Sequence, residues 1–111
     1  MKKKTKTTKI TDKIKKEVEK IVKAFNKEHK SKFQVRYRGR FLYLDKVTTK
    51  YFRTVTSKVG RLEFRGDMQS WSFAVFKYSS ETYALDEWFF PGQGELDGTV
   101  EGALRAGLEI Y

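Results

Sequence analysis

The chain has no cysteine, one histidine (His29) and one proline (Pro91) in 111 residues. Without cysteine there is no disulfide scaffold, no thiolate zinc site and no thiol nucleophile. A single histidine excludes a multi-histidine metal centre and argues against a Ser-His-Asp hydrolase. Long apolar runs are also missing. The densest is Trp88-Phe89-Phe90, far short of the ~18 residues that a membrane-spanning helix needs. Met1-Lys2-Lys3-Lys4 resembles the charged start of a signal peptide. However, Thr5 to Lys9 is only Thr and Lys where the apolar stretch must follow. These absences lead to the expectation of a cytoplasmic protein.

What the sequence does have is positive charge, unevenly placed. Residues 1–65 carry 22 of the 24 basic residues against six acids, a balance of +16. Residues 66–111 carry two bases against eight acids, a balance of −6. A lysine-rich composition alone would not leave Lys77 as the only lysine after residue 65. The split predicts two electrostatic faces if the two parts also separate in space. With 39% apolar and 15% aromatic residues, the chain can build a core, which excludes disorder for most of its length.

Residues 1–9 read as a flexible basic tail, and residues 10–111 as a single α+β domain. Ile10, Ile14, Val18, Ile21, Val22 and Phe25 fall within about a third of a helical circumference. Lys13, Lys16, Lys20, Lys23 and Lys27 recur on the opposite side, and Thr11 or Asp12 is placed to cap the start. Phe33–Arg38 alternates with period two, Gly39-Arg40 makes a tight turn, and Phe41–Leu44 returns as a strand. Tyr51–Thr56 is a third strand or an ordered loop, Gly60 interrupts, and Arg61–Arg65 and Trp71–Tyr78 alternate again. Ser79–Gly94 reads as an aromatic loop. A second helix starts near Asp97 or Thr99, with Gly102 and Gly107 marking close backbone approach to the sheet. The predicted architecture is an N-terminal helix, a four- or five-stranded antiparallel sheet and a C-terminal helix, with both helices on one sheet face.

Three constellations bear on function. The first is a basic surface made of Lys13, Lys16, Lys20, Lys23 and Lys27 together with Arg36, Arg38, Arg40, Arg61 and Arg65. Such surfaces attract phosphate backbones by releasing condensed counterions. Tyr37, Tyr43 and Tyr51 are interleaved with it and have the chemistry to stack on unpaired bases. An ordinary solvated helix face would carry the same lysines, and a strand aromatic is usually core. The start of the second helix carries Glu95, Asp97 and Glu101, which excludes the lysine cluster that double-stranded-RNA-binding domains place there. No RNA-recognition-motif signature occurs either.

The second constellation is the aromatic loop Tyr83, Trp88, Phe89 and Phe90 beside an acidic segment, which suits a protein partner. The third is acidic. Asp45 followed by Glu63-Phe64-Arg65 faintly echoes a metal-dependent nuclease, but Arg stands where such sites use Lys. Pro91-Gly92-Gln93-Gly94-Glu95 lacks both the Walker and the dinucleotide spacings and reads as a turn. His29 reads as a helix-end residue. The resulting expectation is a non-enzymatic binding domain without cofactor or metal. Nucleic acid is the first ligand class, a protein partner the second and a nuclease a remote third.

Overall fold

The computed structural model describes residues 9–84 and 89–110. Its elements are α1 (Asp12–His29), β1 (Phe33–Arg38), β2 (Phe41–Lys50), β3 (Arg53–Phe64), β4 (Trp71–Lys77), β5 (Thr82–Ala84) and α2 (Val100–Ile110). The strands form one antiparallel sheet in the order β1-β2-β3-β4-β5. The expected α+β arrangement is therefore present. Most of the expected tail lies outside the described residues. Among the described residues no helix is long and apolar enough to cross a membrane.

Capping fixes both helices. Thr11 Oγ1 accepts the Ile14 N–H at 3.3 Å, and Thr99 Oγ1 accepts the Gly102 N–H at 3.0 Å. Each cap supplies an acceptor for one of the donors that a helix start leaves unpaired. Asn26 ties α1 to β1: its Oδ1 accepts the Phe33 N–H at 2.9 Å and its Nδ2 donates to the Phe33 carbonyl at 3.1 Å. The apolar stripe of α1 buries Val18, Val22 and Phe25 against Phe33, Leu42, Leu62 and Leu104. On α2, Gly107 permits close contact, because a Cβ there would stand 2.8 Å from Cε1 of Phe33. Gly102 differs from expectation: an added Cβ would meet Asp97 and the Glu95 carbonyl, in the loop before α2 rather than in the sheet.

The expected third strand and the Arg61–Arg65 strand are one element. β3 runs unbroken past Gly60, with a bulge where Leu44 pairs with Gly60 but Asp45 pairs with Lys58. Val59 is the extra residue, and it is fully buried. The bulge shifts the alternation, so Lys58 shares a face with Arg61. Part of the expected aromatic loop pairs instead as β5, with Tyr83 opposite Phe76.

Beyond Lys46, β2 and β3 continue as a two-stranded ribbon whose residues 48–56 are all exposed. It closes through Tyr51-Phe52, with φ of 52° and 63°. Both central residues in the left-handed region is the backbone requirement of a type I′ turn, which ordinarily selects Asn-Gly. Two bulky aromatics there gave no turn signal in the sequence.

Candidate functional site

Both helices cover the face of the sheet that carries Phe33, Val35, Leu42, Leu44, Leu62 and Trp71. Among the described residues the opposite face carries no helix. The pairing register places Arg36 beside Tyr43, Tyr43 beside Arg61, Arg61 beside Ala74, and Asp45 beside Lys58 on it. Arg38 and Phe41 pair at the end of the same face. Cations and rings therefore alternate across the strands.

The rings hold the cations in place. The Arg61 guanidinium lies 4.5 Å from the centroid of Phe41 and 5.5 Å from that of Tyr83. Arg36 lies 5.2 Å from the Tyr43 centroid, and the Lys58 ammonium 5.0 Å from that of Phe76. Each such contact is worth about 0.5–1 kcal/mol where solvent reaches it. The rings of Tyr43 on β2 and Tyr83 on β5 come within 5.4 Å of each other across β3 and β4. Three strand spacings would separate their backbones by about 14 Å in a flat sheet. The small side chain of Ala74 leaves the space between them. Arg36, Arg38, Tyr43, Lys58 and Tyr83 line an open basin of about 470 Å³.

One carboxylate sits inside this layer. Asp45 is 5% exposed and is gripped by Arg36 through two bonds, Nε to Oδ2 at 2.8 Å and Nη2 to Oδ1 at 3.1 Å. That hydrogen bond raises the Arg36 pKa still further above its ordinary value, so the guanidinium stays charged. Burial raises the pKa of the Tyr83 phenol, while its hydrogen bond with Arg36 opposes the shift. Among the described residues, neither Arg61 nor Lys58 nor Arg38 forms an ion pair with a carboxylate. The face thus carries Asp45, held by Arg36, and Glu63, held by Arg40 and Arg65, and among the described residues it leaves Arg38, Lys58 and Arg61 in surplus.

The remaining candidates distribute as follows. Arg40 and Arg65 both pair with Glu63 at 3.3 Å, at the end of β3. Lys13, Lys16, Lys20, Lys23 and Lys27 are exposed on the side of α1 turned away from the sheet. The lysine stripe and the open face are thus on opposite sides of the molecule, and they meet only at the β1 edge, where Lys23 and Arg36 line one groove. Tyr37 belongs to the helix side: its hydroxyl meets the Lys15 carbonyl at 3.4 Å and Glu19 at 3.3 Å. Only Tyr43 of the three interleaved tyrosines lies on the open face.

The aromatic loop divides. Tyr83 joins the cationic face, Phe89 is 90% exposed, and the Phe90 ring sits 5.9 Å from that of Phe73. Trp88 lies outside the described residues. His29 stacks on Phe25, with ring centroids 4.1 Å apart.

The nuclease arrangement does not form. Glu63 pairs with Phe41, four residues along β2 from Asp45, a separation of about 14 Å. No group of three His, Asp or Glu side chains that could hold a metal ion occurs among the described residues. The loop before α2 is a capping device: Asp97 Oδ1 accepts the Thr99 N–H at 3.1 Å, and Arg105 binds Glu95 and Asp97. The acids of this segment thus gather around their own arginine.

Comparison with protein families, with curated proteins and with solved structures finds no match. The functional reading therefore rests on the geometry alone. Reasoning from sequence missed Lys58, Phe41 and Phe76 as members of the face. Lys58 was hidden by the bulge at Val59, which breaks simple alternation. Phe41 and Phe76 were hidden because an aromatic on a strand gives no sign of which side the helices take.

Proposed function

We propose that the protein is a non-enzymatic cytoplasmic module that binds single-stranded nucleic acid across the open face of its sheet. The observation that carries this reading is the surplus of Arg38, Lys58 and Arg61, interleaved with Phe41, Tyr43 and Tyr83. A polyanion neutralises the surplus, and the half-buried rings beside the cations accept unpaired bases regardless of their identity. The helix lysines lie on the far side and contribute long-range attraction rather than contacts.

The test is a fluorescence-polarisation titration of labelled single-stranded DNA and RNA over a range of salt. Three phosphate contacts give a slope of log K against log salt of about −2.1 for a single strand. Affinity should then fall roughly twenty-fold between about 50 and 200 mM salt. Absence of binding at low salt, or binding insensitive to salt, refutes the reading.

A protein partner is the second reading, and the exposure of Phe89 favours it. A Phe89→Ser variant that keeps full affinity for nucleic acid but loses a protein partner would establish that reading.

A further inference from the structure

The β2–β3 ribbon has features that cost stability and that nothing among the described residues offsets. Tyr51 and Phe52 occupy left-handed backbone, at φ of 52° and 63°, yet they are 91% and 106% exposed. Bulky residues persist there only when something else favours them. Lys50 stands directly opposite Arg53, and like charges facing each other across strands are destabilising. The 17 residues from 46 to 62 hold five cations and no acid. An anionic partner relieves that repulsion and covers those rings.

The ribbon is also continuous with the open face. Val47, Thr49, Thr54 and Thr56 follow Asp45 and Lys58 on the same side. From Tyr43 to Tyr51 is eight residues, about 27 Å at strand rise. That distance matches about eight stacked bases at 3.4 Å each. The threonines flanking the tip are polar, so two rings on a polar ribbon suit base stacking better than insertion into a lipid layer.

We infer that the ribbon is the outer half of the binding surface. A strand bound on the open face continues along the ribbon to its tip, its bases stacking on Tyr51 and Phe52 and its phosphates turning there toward Lys50 and Arg53, which alternation places on the other side of the hairpin from Thr49 and Thr54. This inference rests on the single-strand reading above.

The experiment compares wild type with the double variant Tyr51→Asn, Phe52→Gly. Asn-Gly keeps the type I′ turn, so the ribbon remains while the rings go. Single strands of about 4 and about 12 nucleotides, within the known range of single-strand site sizes, are titrated by polarisation and by NMR shifts. The short strand should bind both proteins equally, and the long strand should bind the variant at least about ten-fold more weakly. Lys50→Gln with Arg53→Gln should reduce the salt slope by about 1.4 for the long strand only. Equal binding of the long strand to wild type and variant overturns the inference while leaving the open-face reading intact. Equal weakening for both lengths also overturns it, because the loss then comes from the body of the sheet. If wild type binds neither strand, both readings fall. Capture of wild type but not variant by vesicles of anionic lipid, with no difference on the long strand, assigns the tip to a membrane surface and overturns the inference.

Discussion

Replacing Tyr51 with Asn and Phe52 with Gly should make the protein more stable. Each native residue holds a left-handed backbone, at φ of 52° and 63°, which costs roughly 1–2 kcal/mol for a side chain with a Cβ. Neither ring contributes burial to offset this, since both are essentially fully exposed. Asn tolerates the conformation and Gly has no penalty there. Against the gain stands the greater backbone entropy of glycine in the unfolded chain, roughly 0.5–1 kcal/mol. The net expectation is a stabilisation of about 1–2 kcal/mol. The unfolding entropy of a chain this size is roughly 0.23 kcal/mol/K, so Tm should rise by about 4–8 °C. Differential scanning calorimetry at fixed pH and salt measures it. A fall in Tm of more than a few degrees refutes the reasoning, because it means the rings are packed against the protein or the turn is of another type.

Further outcomes follow from the same structure. Asn26→Ala removes two hydrogen bonds to the Phe33 backbone and should cost about 1–3 kcal/mol in a urea melt; no change would show that water replaces the amide. Asp97 has its pKa lowered below the usual carboxylate value, chiefly by the Thr99 hydroxyl. Its stabilising contribution is therefore present above about pH 4 and is lost as pH falls through the folded value. Asp97→Asn should lower Tm near neutral pH and flatten its decline below about pH 4; parallel acid limbs would contradict this. Lys16→Glu with Lys20→Glu and Lys23→Glu should weaken single-strand binding less than charge removal at Lys58 and Arg61, as read by polarisation, because those lysines face away from the sheet. A larger loss from the helix variant would move the site to α1.

Much of the fold was legible in the sequence because its signals were local. The apolar stripe from Ile10 to Phe25 and the alternation of Phe33–Arg38 and Trp71–Tyr78 each specify one buried side. Gly107 marked a close approach, and it does lie against Phe33. The ribbon and the bulge were not legible. A bulge adds one residue and reverses the alternation, so simple period-two counting from Arg61 puts Lys58 on the other face. Tyr51-Phe52 carries no turn chemistry, so β2 and β3 did not look like one hairpin. The arginines of the site were legible as charges, but their gathering was not. Whether Arg36 on β1 and Arg61 on β3 share a face depends on strand register and on which side the helices cover. Both are long-range properties.

The central claim is that the open sheet face binds single strands through its surplus cations. Its most direct test is the salt slope of Lys58→Gln with Arg61→Gln beside wild type on one strand of about 12 nucleotides. Each lost phosphate contact reduces the slope by about 0.7, so the variant's slope should be shallower than that of wild type by about 1.4. Its affinity should be lower on every sequence tried. A variant with the wild-type slope and affinity would mean that nucleic acid, if bound, lies elsewhere on the molecule, and would contradict the account.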